Sequence, residues 1–193
     1  LSSSSAASDV YKRQPQGMLQ NMQKPAAPFW FVGRKFKRGI MTSPQLATNL
    51  ARFAEMEGRH PRLLLATASD EEQAYHKHVA TLFADGGFDV DVAPQHSDAQ
   101  SIAMQAIDCD ADMLVLIRTS LTAQDRVSVA DLISALDGLD AEYVKVGIVG
   151  HADDPARGNV DFVCDLEHLQ TADCEALIAY ILAIEEGRVA QHI

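Results

Sequence analysis

Residues 62–92 read RLLLATASDEEQAYHKHVATLFADGGFDVDV, and they decide the fold. Leu63-Leu64-Leu65-Ala66-Thr67 is a short, unbroken apolar run, which suits a strand covered on both faces. Asp70 to Ala84 carries apolar residues at helical spacing, and Gly86-Gly87 supplies a stop signal. Phe88-Asp89-Val90-Asp91-Val92 then alternates as a second strand. A buried strand, a helix and a second strand within some thirty residues form the unit that builds a parallel sheet with right-handed crossovers.

The same alternation continues toward the C-terminus. Ser97 or Asp98 caps a helix through Ile107. Met113-Leu114-Val115-Leu116-Ile117 is a third, buried strand, and Ala123 to Leu136 is the next helix, ending near Gly138. Tyr143 to Val149 is a fourth strand and Val160 to Cys164 a fifth. Thr171 caps a last helix, which Gly187 stops near Glu186. Five strands with short connections give a doubly wound α/β fold, a flavodoxin-like sheet of order 2-1-3-4-5. Ligands of such sheets sit at the carboxyl ends of the strands. The loops to inspect are therefore 67–72, 93–97, 118–124 and 149–157.

Upstream the chain changes character. Residues 1–62 hold 10 Lys+Arg against 3 Asp+Glu, whereas the whole chain of 193 residues has a net charge of −11. A basic extension therefore precedes an acidic body, whose surface would repel nucleic acid. Residues 1–14 (LSSSSAASDVYKRQ) resemble translated adapter sequence at the end of a metagenomic reading frame. They are expected not to be natural protein. Residues 15–42 form an extended segment in which Phe29-Trp30-Phe31-Val32-Gly33-Arg34-Lys35-Phe36-Lys37-Arg38 interleaves aromatics and cations. It reads as a docking arm or as a binder of anionic surfaces. Ser43-Pro44 opens a helix toward Gly58, treated as a linker helix over 43–60, with the α/β domain spanning 61–189. No apolar run is long enough to span a bilayer. The three cysteines, Cys109, Cys164 and Cys174, lack Cys-x-x-Cys spacing, so neither a disulfide framework nor a zinc ribbon is expected. A reducing, cytoplasmic location follows from that usage.

The rim loops exclude several chemistries. Thr67-Ala68-Ser69-Asp70-Glu71-Glu72 has no glycine and three carboxylates, which suit a helix N-terminus but would repel a phosphate. A phospho-acceptor receiver domain needs an Asp after the third strand, where Arg118-Thr119-Ser120 stands. His76 and His78 lie on opposite sides of a helix and cannot chelate one ion. His151, Asp153 and Asp154 at a strand end could make a weak metal site or a polar turn. Ser120 lacks the glycines of a nucleophile elbow.

Phe53-Ala54-Glu55-Met56-Glu57-Gly58-Arg59-His60-Pro61-Arg62-Leu63-Leu64-Leu65-Ala66 resembles the entry into the cobalamin-binding domain of the methylmalonyl-CoA mutase family. Ala80 to Val92 is similar to that family's first helix and second strand. Ser120-Leu121 with Val129-Ala130-Asp131-Leu132 is similar to the loop and helix after its third strand. The resemblance covers roughly 50–150. The family's first loop carries Asp-x-His-x-x-Gly, whose His is the lower axial cobalt ligand. Aligned backward from Phe83-Ala84-Asp85, Asp70 matches the Asp, Glu72 stands in place of the His, and Tyr75 stands in place of the Gly. Ser120 matches a serine near the nucleotide base. Val149-Gly150 falls on the family's later Gly-Gly.

The resemblance implies a degenerate cobalamin-binding-like domain. Carboxylate is a poor substitute for imidazole on cobalt. Tyr75 is expected to fill the channel for the nucleotide tail, and Val149 adds a side chain where close approach needs none. The vestigial site is Asp70, Glu72, Tyr75, Ser120, Leu121, Val149 and Gly150, with no catalytic residue and no bound cofactor. The chain then looks like part of the small, non-catalytic subunit of a heterodimeric mutase, partnered by the catalytic subunit. Two alternatives stay open: a working module holding adenosylcobalamin for an acyl-CoA mutase (isomerase), or a regulatory domain binding a small ligand at 118–124.

Overall fold

β1 (Arg62–Thr67) and β3 (Met113–Arg118) are the central strands, as their uninterrupted apolar runs require. The computed structural model describes residues 43–70, 72–119, 125–151 and 153–191. The tail and basic–aromatic segment within 1–42, and Ser120 and Leu121, lie outside them. β2 (Asp89–Val92), β4 (Lys145–Gly150) and β5 (Phe162–Asp165) complete an all-parallel sheet of order β2-β1-β3-β4-β5. This is the order read from the sequence. Leu63 pairs with Val90 on one side and Met113 on the other, and Ile117 pairs with Val149.

Alternate residues of each strand feed two separate cores. Leu64, Ala66, Leu114, Leu116, Val146 and Ile148 pack with α3 (Ala99–Asp108) and α4 (Val129–Asp137). Leu63, Leu65, Met113, Val115, Ile117 and Val149 pack with α2 (Gln73–Asp85), α5 (Thr171–Gln191) and α1 (Pro44–Glu57). Period-two alternation on strands buried on both faces produces this division. The helix read as a linker contributes to the second core: Leu46 and Phe53 of α1 are wholly buried. Ser43 caps it by accepting from the Leu46 amide, and Gly58 ends it at φ 71°.

Three boundaries differ from the sequence reading. α2 starts at Gln73 rather than Asp70; the Glu72 side chain reaches back to the Ser69 amide and makes no cap bond to the first turn. α4 starts at Val129 rather than Ala123. A capping box of Ser128 and Asp131 sets that start. α5 runs through Gly187 to Gln191, since Gly187 is exposed and does not take the left-handed conformation of a helix stop. Gly87 does take it, at φ 96°. Between β4 and β5 the described residues form only a five-residue 3-10 turn (Pro155–Asn159). No helix among the described residues is long and apolar enough to cross a membrane.

Candidate functional site

The strand order reverses between β1 and β3, so their carboxyl ends flank the crevice where a sheet of this type takes a ligand. Glu72 lies there with no exposed surface. Its Oε2 accepts from the Ser69 amide, and its Oε1 accepts from the Thr119 amide at 2.9 Å and from the Thr119 hydroxyl at 3.4 Å. One carboxylate thus fastens the loop after β1 to the end of β3. Both oxygens are engaged, and the group is tied to main chain from both strands.

The other rim residues point elsewhere. Asp70 is exposed; its Oδ1 accepts from Arg126 Nη2 at 2.6 Å and lies 3.3 Å from His96 Nδ1. His96 holds a left-handed backbone at φ 64°. Three loops therefore meet over the crevice through these three side chains, and the sequence reading missed His96 and Arg126. Arg126 lies 56 residues from Asp70 in the sequence and 30 from His96, so no local pattern links them. Tyr75, placed by the resemblance where the family has a glycine, is 43% exposed in the first turn of α2.

Val149 is wholly buried between Ile117 and Cys164, and its side chain belongs to the core shared with α2 and α5. Gly150 is needed for strand packing: a Cβ there would stand 2.5 Å from the Arg118 carbonyl oxygen. Site residues Ser120 and Leu121 lie outside the described residues.

Arg118, at the end of β3, is clasped by two carboxylates. Nε donates to Asp125 at 2.5 Å, and Nη1 donates to Asp154 at 2.7 Å. Asp154, considered above as a metal ligand with His151 and Asp153, is instead buried against Arg118 and the Ala156 amide. Its charge is drawn inward by the nearest cation. Among the described residues no group of three or more His, Cys, Asp and Glu side chains is placed to hold a metal. An open groove of about 540 Å³ runs beside Arg118, between α4 and the 3-10 turn, past Ile133 and Asn159.

The cysteines offer no nucleophile. Burial pushes the Cys109 thiol up to about 11 and the Cys174 thiol up to about 12, and it raises Cys164 as well. Thiolate is the reactive form, so all three are inert near neutrality.

The fold and rim define a domain of the open flavodoxin-like class. Its fold matches that of a cobalamin-binding protein from Desulfitobacterium hafniense, with a TM-score of 0.51 over 70% of this chain and 67% of that one, at 16% identity. By sequence the chain is related to methylmalonyl-CoA mutase. It is 39% identical to the human mitochondrial enzyme over 89 residues, which is 46% of this chain and 12% of that one. The bovine enzyme matches at 39% over 112 residues, 56% of this chain and 15% of that enzyme. A probable methylmalonyl-CoA mutase large subunit from Mycobacterium tuberculosis matches at 44% over 70 residues. The chain thus spans under a sixth of the length of the mutases it matches. No protein-family model matches it. The chain therefore carries a relative of the cobalamin-binding domain of the methylmalonyl-CoA mutase family.

The residues that the resemblance aligns with the cofactor loop differ from it in chemistry. Where the resemblance calls for an imidazole there is a carboxylate with both oxygens engaged and no exposed surface. The Asp that would orient the imidazole pairs with Arg126. Val149 adds side-chain volume to the core next to the crevice.

Proposed function

We propose that this domain is a cobalamin-binding scaffold that has lost its cofactor and serves as a non-catalytic, interaction-forming part of a methylmalonyl-CoA mutase-type assembly. The observation that carries the reading is Glu72. A buried carboxylate bonded to amides of both crevice walls is neither an imidazole nor available to a metal, and moving it would leave two backbone donors unpaired. The sequence relationship to mutases supports a mutase-type assembly as the setting, with the catalytic mutase subunit as the proposed partner. The test is to add adenosylcobalamin to the purified chain and follow the visible spectrum through gel filtration. The free-cofactor spectrum and separate elution are expected; stoichiometric co-elution would overturn the reading.

A working corrinoid module is the second reading. The kinship with mutases and with a cobalamin-binding protein favours it. Under it, Glu72→Ala and Ser120→Ala each weaken uptake; unchanged uptake in both would remove it.

A further inference from the structure

We propose that Asp70, His96 and Arg126 form a proton-sensitive clasp at the rim of the crevice, closed while His96 is neutral and released when it takes up a proton. The fixed half is Asp70 with Arg126. The Arg126 amide donates to the Ala68 carbonyl at 2.8 Å, and its Nη2 donates to Asp70 Oδ1 at 2.6 Å. Main chain and side chain thus both join the loop after β1 to the segment before α4. The movable half is the loop between β2 and α3. It brings His96 Nδ1 to 3.3 Å from Arg126 Nη1 and to 3.3 Å from Asp70 Oδ1.

The donors and acceptors set the protonation state. A guanidinium can only donate, so the Nδ1 that meets Arg126 is an unprotonated acceptor and the ring proton sits on Nε2. Arg126 then forks between two neighbouring acceptors, Asp70 Oδ1 and His96 Nδ1. Protonation turns the second acceptor into a donor. By Coulomb's law the attraction of the imidazolium to Asp70 and its repulsion from Arg126 nearly cancel, because both partners stand at 3.3 Å. What remains is the loss of the Arg126–His96 hydrogen bond. Asp70 and Arg126 are the charged side chains paired with His96 among the described residues. All three side chains reach water, so the proton has access. Histidine changes charge between about pH 5 and 8, and the clasp loosens across that range as the pH falls. The inference goes beyond the cofactor reading and needs no corrinoid.

The test follows the ring and the loop by nitrogen-15 magnetic resonance on the full chain. At pH 8 the neutral His96 ring should carry its proton on Nε2; a proton on Nδ1 overturns the proposal. On acidification to pH 5, the backbone order parameters of residues 95–97 should fall from about 0.85, the rigid value, toward the flexible range below about 0.6, while those of α3 hold. Arg126→Met keeps the main-chain bond to Ala68 and removes the fork, so its loop should be flexible at both pH values. His96→Asn tolerates the left-handed backbone, φ 64° here, and accepts from Arg126 without titrating, so its loop should stay rigid at both. A native loop that ignores pH, an Arg126→Met loop as rigid at pH 8 as the native one, or the same acid loosening in His96→Asn overturns the clasp.

Discussion

At Gly150 any side chain would press its Cβ to 2.5 Å from the Arg118 carbonyl oxygen, whereas at Gly187 a Cβ would meet nothing. The same chemical change should thus have opposite signs. Gly150→Ala forces two buried strands apart and is expected to cost about 1–3 kcal/mol. Gly187→Ala lies in an exposed helical turn and is expected to gain about 0.5–1 kcal/mol, because alanine loses less backbone entropy. Urea denaturation of both variants reads the two signs directly. A third residue sets a pH dependence. Burial lowers the pKa of His76 below its ordinary 6.5, and its Nε2 is enclosed without a partner. The unfolded chain then takes up the proton first, so stability is full above about 6.5 and falls as the pH drops through that value. The loss between pH 7.5 and 5.5 should be smaller in His76→Gln than in the native chain, as measured by denaturation at each pH.

The elements differ in how far their residues announce them. β1 and β3 were legible because an apolar run that short, bounded by polar residues, has few other uses. The start of α4 was not, since Ala123, Val127 and Ala130 extend its apolar pattern backward past the true cap. Ser128 accepts from the Asp131 amide at 3.1 Å while Asp131 accepts from the Ser128 amide at 3.3 Å, and that reciprocal pair fixes the first turn. Ser128→Ala should cost about 1 kcal/mol in a denaturant titration. The role of α1 was equally hidden: helical spacing predicted the element but not what it covers. Phe53 proves wholly buried among Val79, Phe83 and Leu182 in one core, so Phe53→Ala should cost about 3–5 kcal/mol. A cost under about 1 kcal/mol would mean that α1 is peripheral. The site was half legible. The resemblance marked Glu72 as the departure from the family loop, but the carboxylate's second anchor is the Thr119 amide, which no local pattern connects to it.

At the scale of the molecule the rim is held by charge. Arg118 joins the end of β3 to Asp125, which precedes α4, and to Asp154, which opens the β4–β5 connection. Side-chain exposures of 15%, 9% and 0% leave little water to screen the triad. One cation serves two carboxylates here, and Asp125 Oδ1 and Asp154 Oδ2 are buried without hydrogen-bond partners. Removing the cation alone is therefore worse than removing all three charges. Arg118→Met keeps the length of the side chain but strands two buried anions, and it is expected to cost about 3–5 kcal/mol. Adding Asp125→Asn and Asp154→Asn removes the stranded charge while leaving Asp154's acceptor role toward the Ala156 amide to the asparagine. The triple variant should then be more stable than Arg118→Met, a reversal of additivity that marks a coupled network. Urea midpoints of the single and triple variants decide it. If the triple variant is the less stable of the two, the triad's worth lies in packing and not in its charges, and the rim is not fastened electrostatically.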